Sequence, residues 1–464
     1  MPLIIGIPAS IVNLQQQGLL ERAFHDGLYP NIAYRQEAMW EEWPSNSGTE
    51  IFMTRPGLLS PSVKPLIPGV DPTPKNVVYE QWSAVLERYG DSIDIHTPTS
   101  ATANANLFLR SIHQLGLQAG QSVNRIARNN MFKAYLSGQT ATTVAALAAD
   151  TQIKVASLNG FVDVIIVGTN VRPVPVSPGS PLSVSIGGVT GNRNVIGVIP
   201  DSPSDPFGPG VLILATSLGV NVAARTPVLS VNRPNVIRSG GGTSVDALGP
   251  SDTFVLQDAI NAVARLRRAN VQPHEDGYYH AHIGPTSQSQ VYADPAFQRL
   301  NTALPDYPIY KEGFLGTLAG VAFFINTESP ERVNSGALVA TGANSFYSEE
   351  IGAETVNESG VEVGRILITG KGTVYEKGLD ESQYVTEAGV TGKVGEFDVV
   401  NNGVEVQTDR VRLIMRAPMN RLQDQVAVTW SITTSFPIPS DITGPSGPER
   451  YKRAIVIEHA LLTG

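Results

Sequence analysis

Between residues 99 and 140 apolar side chains keep helical spacing for longer than anywhere else in the chain, and that run limits what the chain can become. Phe108, Ile112, Leu115, Ala119, Val123 and Ile126 follow at steps of four, three, four, four and three, the spacing that lines one helix face. Leu109, Leu117, Ala127 and Phe132 add a partial second stripe. Ser100, Thr102 and Asn104 offer N-caps, and Gly138 offers a stop. A helix from Asn104 to Leu136 is about 50 Å long at ~1.5 Å per residue. That exceeds a small compact domain, so the helix is expected to run the length of an elongated subunit. Gly116 and Gly120, four apart within it, predict close approach by a neighbouring strand or helix.

Before this helix lies a second unusual segment. Residues 1–36 read as a terminal arm with a short amphipathic helix near 10–25. A strand-like run, Thr49 to Arg55, then leads into LLSPSVKPLIPGVDPTPK, which holds Pro61, Pro65, Pro68, Pro72 and Pro74. Proline fixes φ and removes a backbone donor, so this stretch is neither helix nor central strand. A second strand run, Val78 to His96, follows. The sum is a hairpin-like excursion over 37–98 with a stiff tip. An isolated two-stranded hairpin is marginal in water, so it needs a surface to lie on, its own body or another subunit. Trp40, Trp43 and Trp82 lie in or beside it. They fit either interface anchors or a clamp inside one subunit.

Residues 150–250 change character. They hold no Glu, and short Val/Ile runs alternate with Gly, Pro and Ser, which predicts a β-rich insertion. Residues 251–340 return to a mixed pattern: a helix from Leu256 to Ala269, a strand at Tyr278–Ile283, a short helix in DPAFQRLNTAL and a strand in GVAFFINT. Arg365 to Thr369, two strands around a polar turn in 411–436, and Val456–Ile457 close the chain. The fold class is therefore α+β.

Charge and composition exclude several functions. The net charge is −9 and no Lys/Arg run occurs, so tight general nucleic-acid binding is not expected. Charged residues make up 16%, well below the usual quarter, as suits a surface hidden against neighbours. With no cysteine, disulfides, thiolate metal sites and thiol catalysis are excluded. The N-terminus lacks the charge pattern of a signal peptide, and no apolar run is long enough to span a membrane.

Motifs for catalysis are weak. His280 and His282, two apart on a strand, share a face, and His274 or Glu275 would complete a metal site. Two half-buried strand histidines making ordinary hydrogen bonds are the preferred reading, since two ligands do not define a site. Asp201 and Asp205 lack a calcium-loop spacing. GGGT (Gly240–Thr243) and GKGT (Gly370–Thr373) lack phosphate-loop spacing and a following helix. No catalytic, cofactor or metal residue is assigned, and no enzyme activity is expected.

The order of parts resembles the coat proteins of tailed phages with the Hong Kong 97 fold. SGTEIFMTRPG and VVYEQWSAVLERYGDSIDIH resemble the two strands of the family's extended E-loop in short-tailed phages. LFLRSIHQLGLQAGQSVNRIARNNMFKAYLSGQT resembles its spine helix. YYHAHIGPTSQSQVYADPAFQRL and FLGTLAGVAFFINT resemble the axial domain, and RILITGKGTVYEKGL with VRLIMRAPMNRLQDQVAVTWSITTSF the closing segments. The resemblance covers 37–140 and 251–436. It implies an N-arm (1–36), an E-loop (37–98), a spine helix and peripheral domain (99–149), an axial domain with a β-rich extension (251–410) and closing peripheral strands (411–464); residues 150–250 lie outside it and are read as a β-rich inserted domain.

The resemblance also implies a function. Such a subunit assembles as pentamers and hexamers into an icosahedral shell around double-stranded DNA, in a bacterial cytoplasm, and becomes part of the virion. Trp43, Arg55, Lys64, Pro68, Lys75 and Trp82 are the implied inter-subunit residues of the E-loop, and Phe108 to Ile126 the packing stripe of the spine. Expected partners are other copies of the chain, a separate scaffolding protein, a portal and a cement or decoration protein, with DNA contacted weakly and non-specifically. An encapsulin-like nanocompartment shell and a β-rich phage adhesin or tail-fibre protein are the competing readings.

Overall fold

The computed structural model describes residues 22–28, 33–56 except 45, parts of 62–77, 79–96, 107–166, 170–302, 316–332 except 327 and 330, 361–379, 411–416, 425–441 and 450–461, with further strands at 391–394, 397–400 and 403–408. The architecture is mixed α+β, with few helices and many strands. Two compact units emerge: residues 1–51, 83–128 and 374–437 form one, and 52–82, 129–373 and 438–464 the other.

The first unit is built on an eight-stranded sheet. Its longest strand, Gln425–Ser435, pairs antiparallel with Glu87–His96 through ten residue pairs, from Gln425↔His96 to Thr434↔Glu87. Val411–Arg416 lies on its other side, followed outward by Gly403–Thr408, Phe397–Val400 and Thr391–Val394. Ala38–Glu42 runs parallel to Val374–Gly378. The run Val78–His96 is thus two strands and not one: Tyr79–Val85 stays with the excursion, and the chain changes sheet at Leu86, whose N–H donates to Thr49 O.

Two helices follow from the same logic of close approach. The short helix α1 (22–28) lies against α2, Leu107–Tyr135. A Cβ on Gly120 would stand 2.6 Å from the carbonyl oxygen of Leu28, and one on Gly116 would stand closer still to that of Phe24. Gly27 is likewise against His113 O. Only glycine lets the two backbones touch. The α2 stripe is buried at Ile112, Leu115, Ala119 and Val123. Ile126 is half-buried and Ala127 takes the buried position instead. The stripe had been expected to step by three there; it steps by four, because a straight 3.6-residue helix drifts across its own face. The side chain of Phe108 lies outside the described residues. Beside this stripe sits Asn124, fully buried, whose Oδ1 accepts from the backbone N–H groups of Ala33, Tyr34 and Arg35 at 3.0, 2.7 and 3.4 Å. Helix α2 is followed by a turn that reaches Gly138 (φ +69°), whose N–H donates to Asn159 O.

The two largest sheets of the second unit are of different kinds. A six-stranded antiparallel sheet runs in the order Gln139–Ala141, Pro227–Ser230, Leu182–Ile186, Arg193–Ser202, Asp205–Leu214, Gln152–Val155. A bridge between Thr142 and Val155, with Ala156 N–H donating to Ala141 O, joins the last strand to the first. The sheet closes into a barrel and leaves no free edge. Ile153, Phe161, Val184, Val195, Leu212 and Val228 fill it. The barrel therefore starts before residue 150 and ends by Ser230. Val236–Arg238, expected within the insertion, instead pairs parallel with Ala454–Ala460 in the other sheet.

That seven-stranded sheet runs Val236–Arg238, Ala454–Ala460, Val363–Thr369, Tyr279–Ile283, Val321–Ile325, Thr317–Leu318, with Glu331–Arg332 beside Val363–Thr369. Helices α3 (Leu256–Arg268), α4 (Pro285–Ala293) and α5 (Pro295–Thr302) follow in chain order. Phe254, Leu266, Val291 and Phe297 pack with Ile283, Ile366, Ile368 and Ile457 in one core. Helix α4 was not expected from the sequence; its buried residues are Ser287, Gln290 and Val291.

Candidate assembly interface

The excursion is built from strand alternation. Glu50–Pro56 and Tyr79–Val85 are neighbours in a four-stranded sheet, and Tyr79–Val85 continues parallel onto Asn170–Pro175. Side chains of a strand point alternately to the two faces. Met53, Glu80, Trp82 and Ala84 are buried, whereas Phe52, Tyr79 and Val85 are exposed at 67%, 45% and 49%.

The inward face is a charged network. The Arg55 guanidinium lies 3.3 Å from Glu80, is ion-paired to Asp441, and stands 5.6 Å over the Trp82 ring. Glu80 also accepts from Ser440 Oγ at 2.7 Å, and Asp441 from Arg453 Nε at 2.5 Å. Two carboxylates and two guanidinium groups thus balance. Beyond them Arg450 pairs with Asp163 at 2.7 Å and stacks on Tyr451. Burial alone lowers the Arg450 pKa, but Tyr451 and Asp163 outweigh it and hold the guanidinium more firmly charged than usual.

The implied inter-subunit residues separate accordingly. Arg55 and Trp82 belong to the network inside the chain. Trp43 is also buried, its indole N–H donating to Gly48 O at 3.1 Å. These three are internal clamps because their positions fall on the inward phase of each strand or turn. Lys75 is exposed; Lys64 and Pro68 lie outside the described residues. Between the strands, every described residue from Ser62 to Asn76 is exposed, with Val63 at 87% and Leu66 at 72%. The exposed apolar side chains of the excursion, among the described residues, are Phe52, Val63, Leu66, Tyr79 and Val85. Apolar residues out of phase with Met53 and Trp82 were the sequence signal for them.

A concave feature lies in the first unit, between α2 and strand Glu87–His96. It encloses about 670 Å³ and is lined by Asp91, Ile93, His96, Arg110, Gln114 and Gln118, among others. The Gln118 side-chain amide donates to Asp91, and with the Ser92 N–H it holds the Asp91 carboxyl below its usual range.

The histidines do not assemble as the sequence suggested. His282 is buried and stacks on Phe324, while His280 meets His274. Those two rings are 3.9 Å apart and inclined by only 10°. A ring nitrogen's lone pair lies in the ring plane, so no single ion sits in the planes of both stacked rings. His280 Nε2 instead meets Asp276 at 2.9 Å. Ser287 and His459 lie 3.0 Å apart, but both are completely buried, which suits packing rather than substrate access. Lys371 of the GKGT turn pairs with Glu275, and the GGGT turn wraps the Arg238 side chain through Thr243 O.

The chain matches no protein-family model and no curated protein. Among solved structures it is similar to the capsid of the cyanophage P-SCSP1u, at 12% identity over 92% of this chain and 87% of that one, with a TM-score of 0.45. The capsid of Ralstonia phage GP4 gives the same values. The cyanophage Pam1 capsid gives 10% identity over 95% and 93%, with a TM-score of 0.48. These three solved structures are phage capsids.

Proposed function

We propose that the chain is the major coat subunit of a tailed phage, a structural rather than catalytic protein with a Hong Kong 97-like capsid fold, closest in kind to the coat proteins of short-tailed phages. One observation carries this reading. An excursion fastened at its base by ion pairs to the buried carboxylates of Glu80 and Asp441 presents a tip whose described residues, apolar Val63 and Leu66 included, are exposed. Exposed apolar side chains on an extended arm are accounted for when another copy covers them. The order of elements supports the same reading: arm, excursion, long helix α2 as spine, mixed sheet as axial domain, returning strands. Pentamers and hexamers of this chain would close into a shell around double-stranded DNA in the host cytoplasm, helped by a scaffolding protein and joined by a portal and a cement protein.

Expression alone and beside a scaffolding protein, followed by negative-stain electron microscopy, tests the proposal. Closed shells, tubes or capsomer rings are expected, and their contents separate a DNA shell from an encapsulin-like compartment. A uniform small trimer or monomer under both conditions refutes it and favours the adhesin reading. Shortening the tip between Pro61 and Pro74 is expected to abolish particles while leaving the subunit folded by circular dichroism.

A further inference from the structure

We propose that the solvent face of α3 is the surface on which the chain meets the phosphate backbone of duplex DNA; this rests on the shell reading and adds to it a partner site. The exposed residues of α3 are Gln257, Ile260, Asn261, Ala264, Arg265, Arg267 and Arg268. Three are arginines, two are amides, and none is acidic. That is unusual in a chain with 42 acidic and 33 basic residues. The helix's one carboxylate, Asp258, is turned inward, where it accepts from Ser239 Oγ at 2.7 Å. The next carboxylates along the chain are engaged as well, Glu275 with Lys371 and Asp276 with His280.

The helix dipole favours cations in a last turn. It does not explain a face without a carboxylate along its whole length. Arg267 is braced against the Tyr279 ring, 6.0 Å from its centroid. Arg265 and Arg268, one turn apart, take part in no ion pair among the described residues. Arginine forks match phosphate oxygens, and the side-chain amides of Gln257 and Asn261 add hydrogen-bonding capacity. The chemistry is that of a sequence-independent backbone contact. An acidic face would repel the same polyanion. A small basic stripe within a negatively charged subunit holds DNA weakly and in register, without trapping it.

The test uses the full chain and a 30-base-pair duplex of arbitrary sequence, with fluorescence anisotropy read across a sodium chloride series. Three phosphate contacts give a slope of log affinity on log salt of about −2.7 per chain. The double variant R265Q/R268Q is expected to flatten it to about −0.9. Ala264→Glu, which leaves every arginine in place, is expected to weaken binding as well. An unchanged slope in the double variant together with unchanged affinity in A264E overturns the assignment. So does tighter binding of polyglutamate than of duplex to this face, which would make the partner an acidic protein. Electron microscopy of the same preparations separates the two readings. Shells that form normally while the slope stays unchanged refute the DNA face alone, whereas wild-type chain that never assembles refutes the shell reading.

Discussion

Replacing Glu458 by Gln takes one negative charge from between two buried arginines at nearly constant volume. Strands Val236–Arg238, Ala454–Ala460 and Val363–Thr369 set Arg238, Glu458 and Arg365 side by side in register. The carboxylate lies 2.8 Å from Arg238 Nη2 and 3.0 Å from Arg365 Nε, and its side chain is 2% exposed. Arg365 is among the largest fully buried side chains. Without the carboxylate two guanidinium groups face each other in a low-dielectric interior. Breaking a buried ion pair from one side costs about 3–5 kcal/mol, against a total stability on the order of 5–15 kcal/mol. Thermal unfolding followed by tryptophan fluorescence should show a melting point lower by about 3–8 °C. The pH dependence carries the same sign. Burial alone pushes the Glu458 carboxyl up, but Arg238 and Arg365 outweigh it and hold it below its ordinary value of 4.5. A depressed carboxylate stabilises the fold fully above that ordinary value, and the contribution fades as pH falls through the folded-state value. Wild type should therefore lose stability below about pH 4.5, and E458Q should lack that part of the acid transition. A melting point for E458Q within about 1 °C of wild type would refute the argument. Replacing all three residues by Met and Leu is expected to restore most of the loss, because apolar side chains need no counter-charge.

Gly116→Ala should destabilise by about 1–3 kcal/mol, although alanine favours helix by about 1 kcal/mol; urea unfolding checks the sign, and a gain in stability would mean that α1 does not press on α2. Asn124→Ala should cost more than a surface asparagine, since three backbone N–H groups lose their common acceptor; protection of the amides of 33–35 in hydrogen exchange is the direct readout. Deleting 151–249 should leave insoluble chain, because the cut removes Arg238 from the buried triad and Asn170–Pro175 from the strand that carries Glu80 and Trp82. Recovery of folded, monodisperse chain would show that the barrel and its flanks are separable after all.

Patterns confined to one element were the ones that could be read from sequence. The α2 stripe, the Gly116/Gly120 contact, the strand at Tyr279–Ile283 and the turn at Gly138 each depend on neighbours a few residues away, so spacing and residue type carry them. Helix α4 was missed because burial of Ser287 and Gln290 leaves it no apolar period; those side chains are satisfied across the fold, Gln290 by Ala460 O and Ser287 by His459. The barrel was foreseen as β-rich but not as closed, since its first strand, Gln139–Ala141, follows the long helix without any compositional break.

The interface residues show the same division more sharply. Tryptophan and arginine beside a proline-rich tip read as anchors for another subunit, because large amphipathic side chains dominate interfaces. Their phase on the strands turns them inward within their own chain, the clamp that the sequence also allowed. Glu80, Trp82 and Ala84 alternate inward, and Arg55 finds Asp441, a partner nearly four hundred residues away that no local pattern announces. An excursion free to bend at its base would dilute any contact made by its tip with the entropy of the hinge. Fixing the base by a balanced quartet, the buried carboxylates of Glu80 and Asp441 between the half-buried Arg55 and Arg453, spends the arginine and tryptophan on direction, and under the proposed shell reading leaves Phe52, Val63, Leu66 and Tyr79 to make the contact itself. The residues that look most like an interface are therefore the ones that aim it.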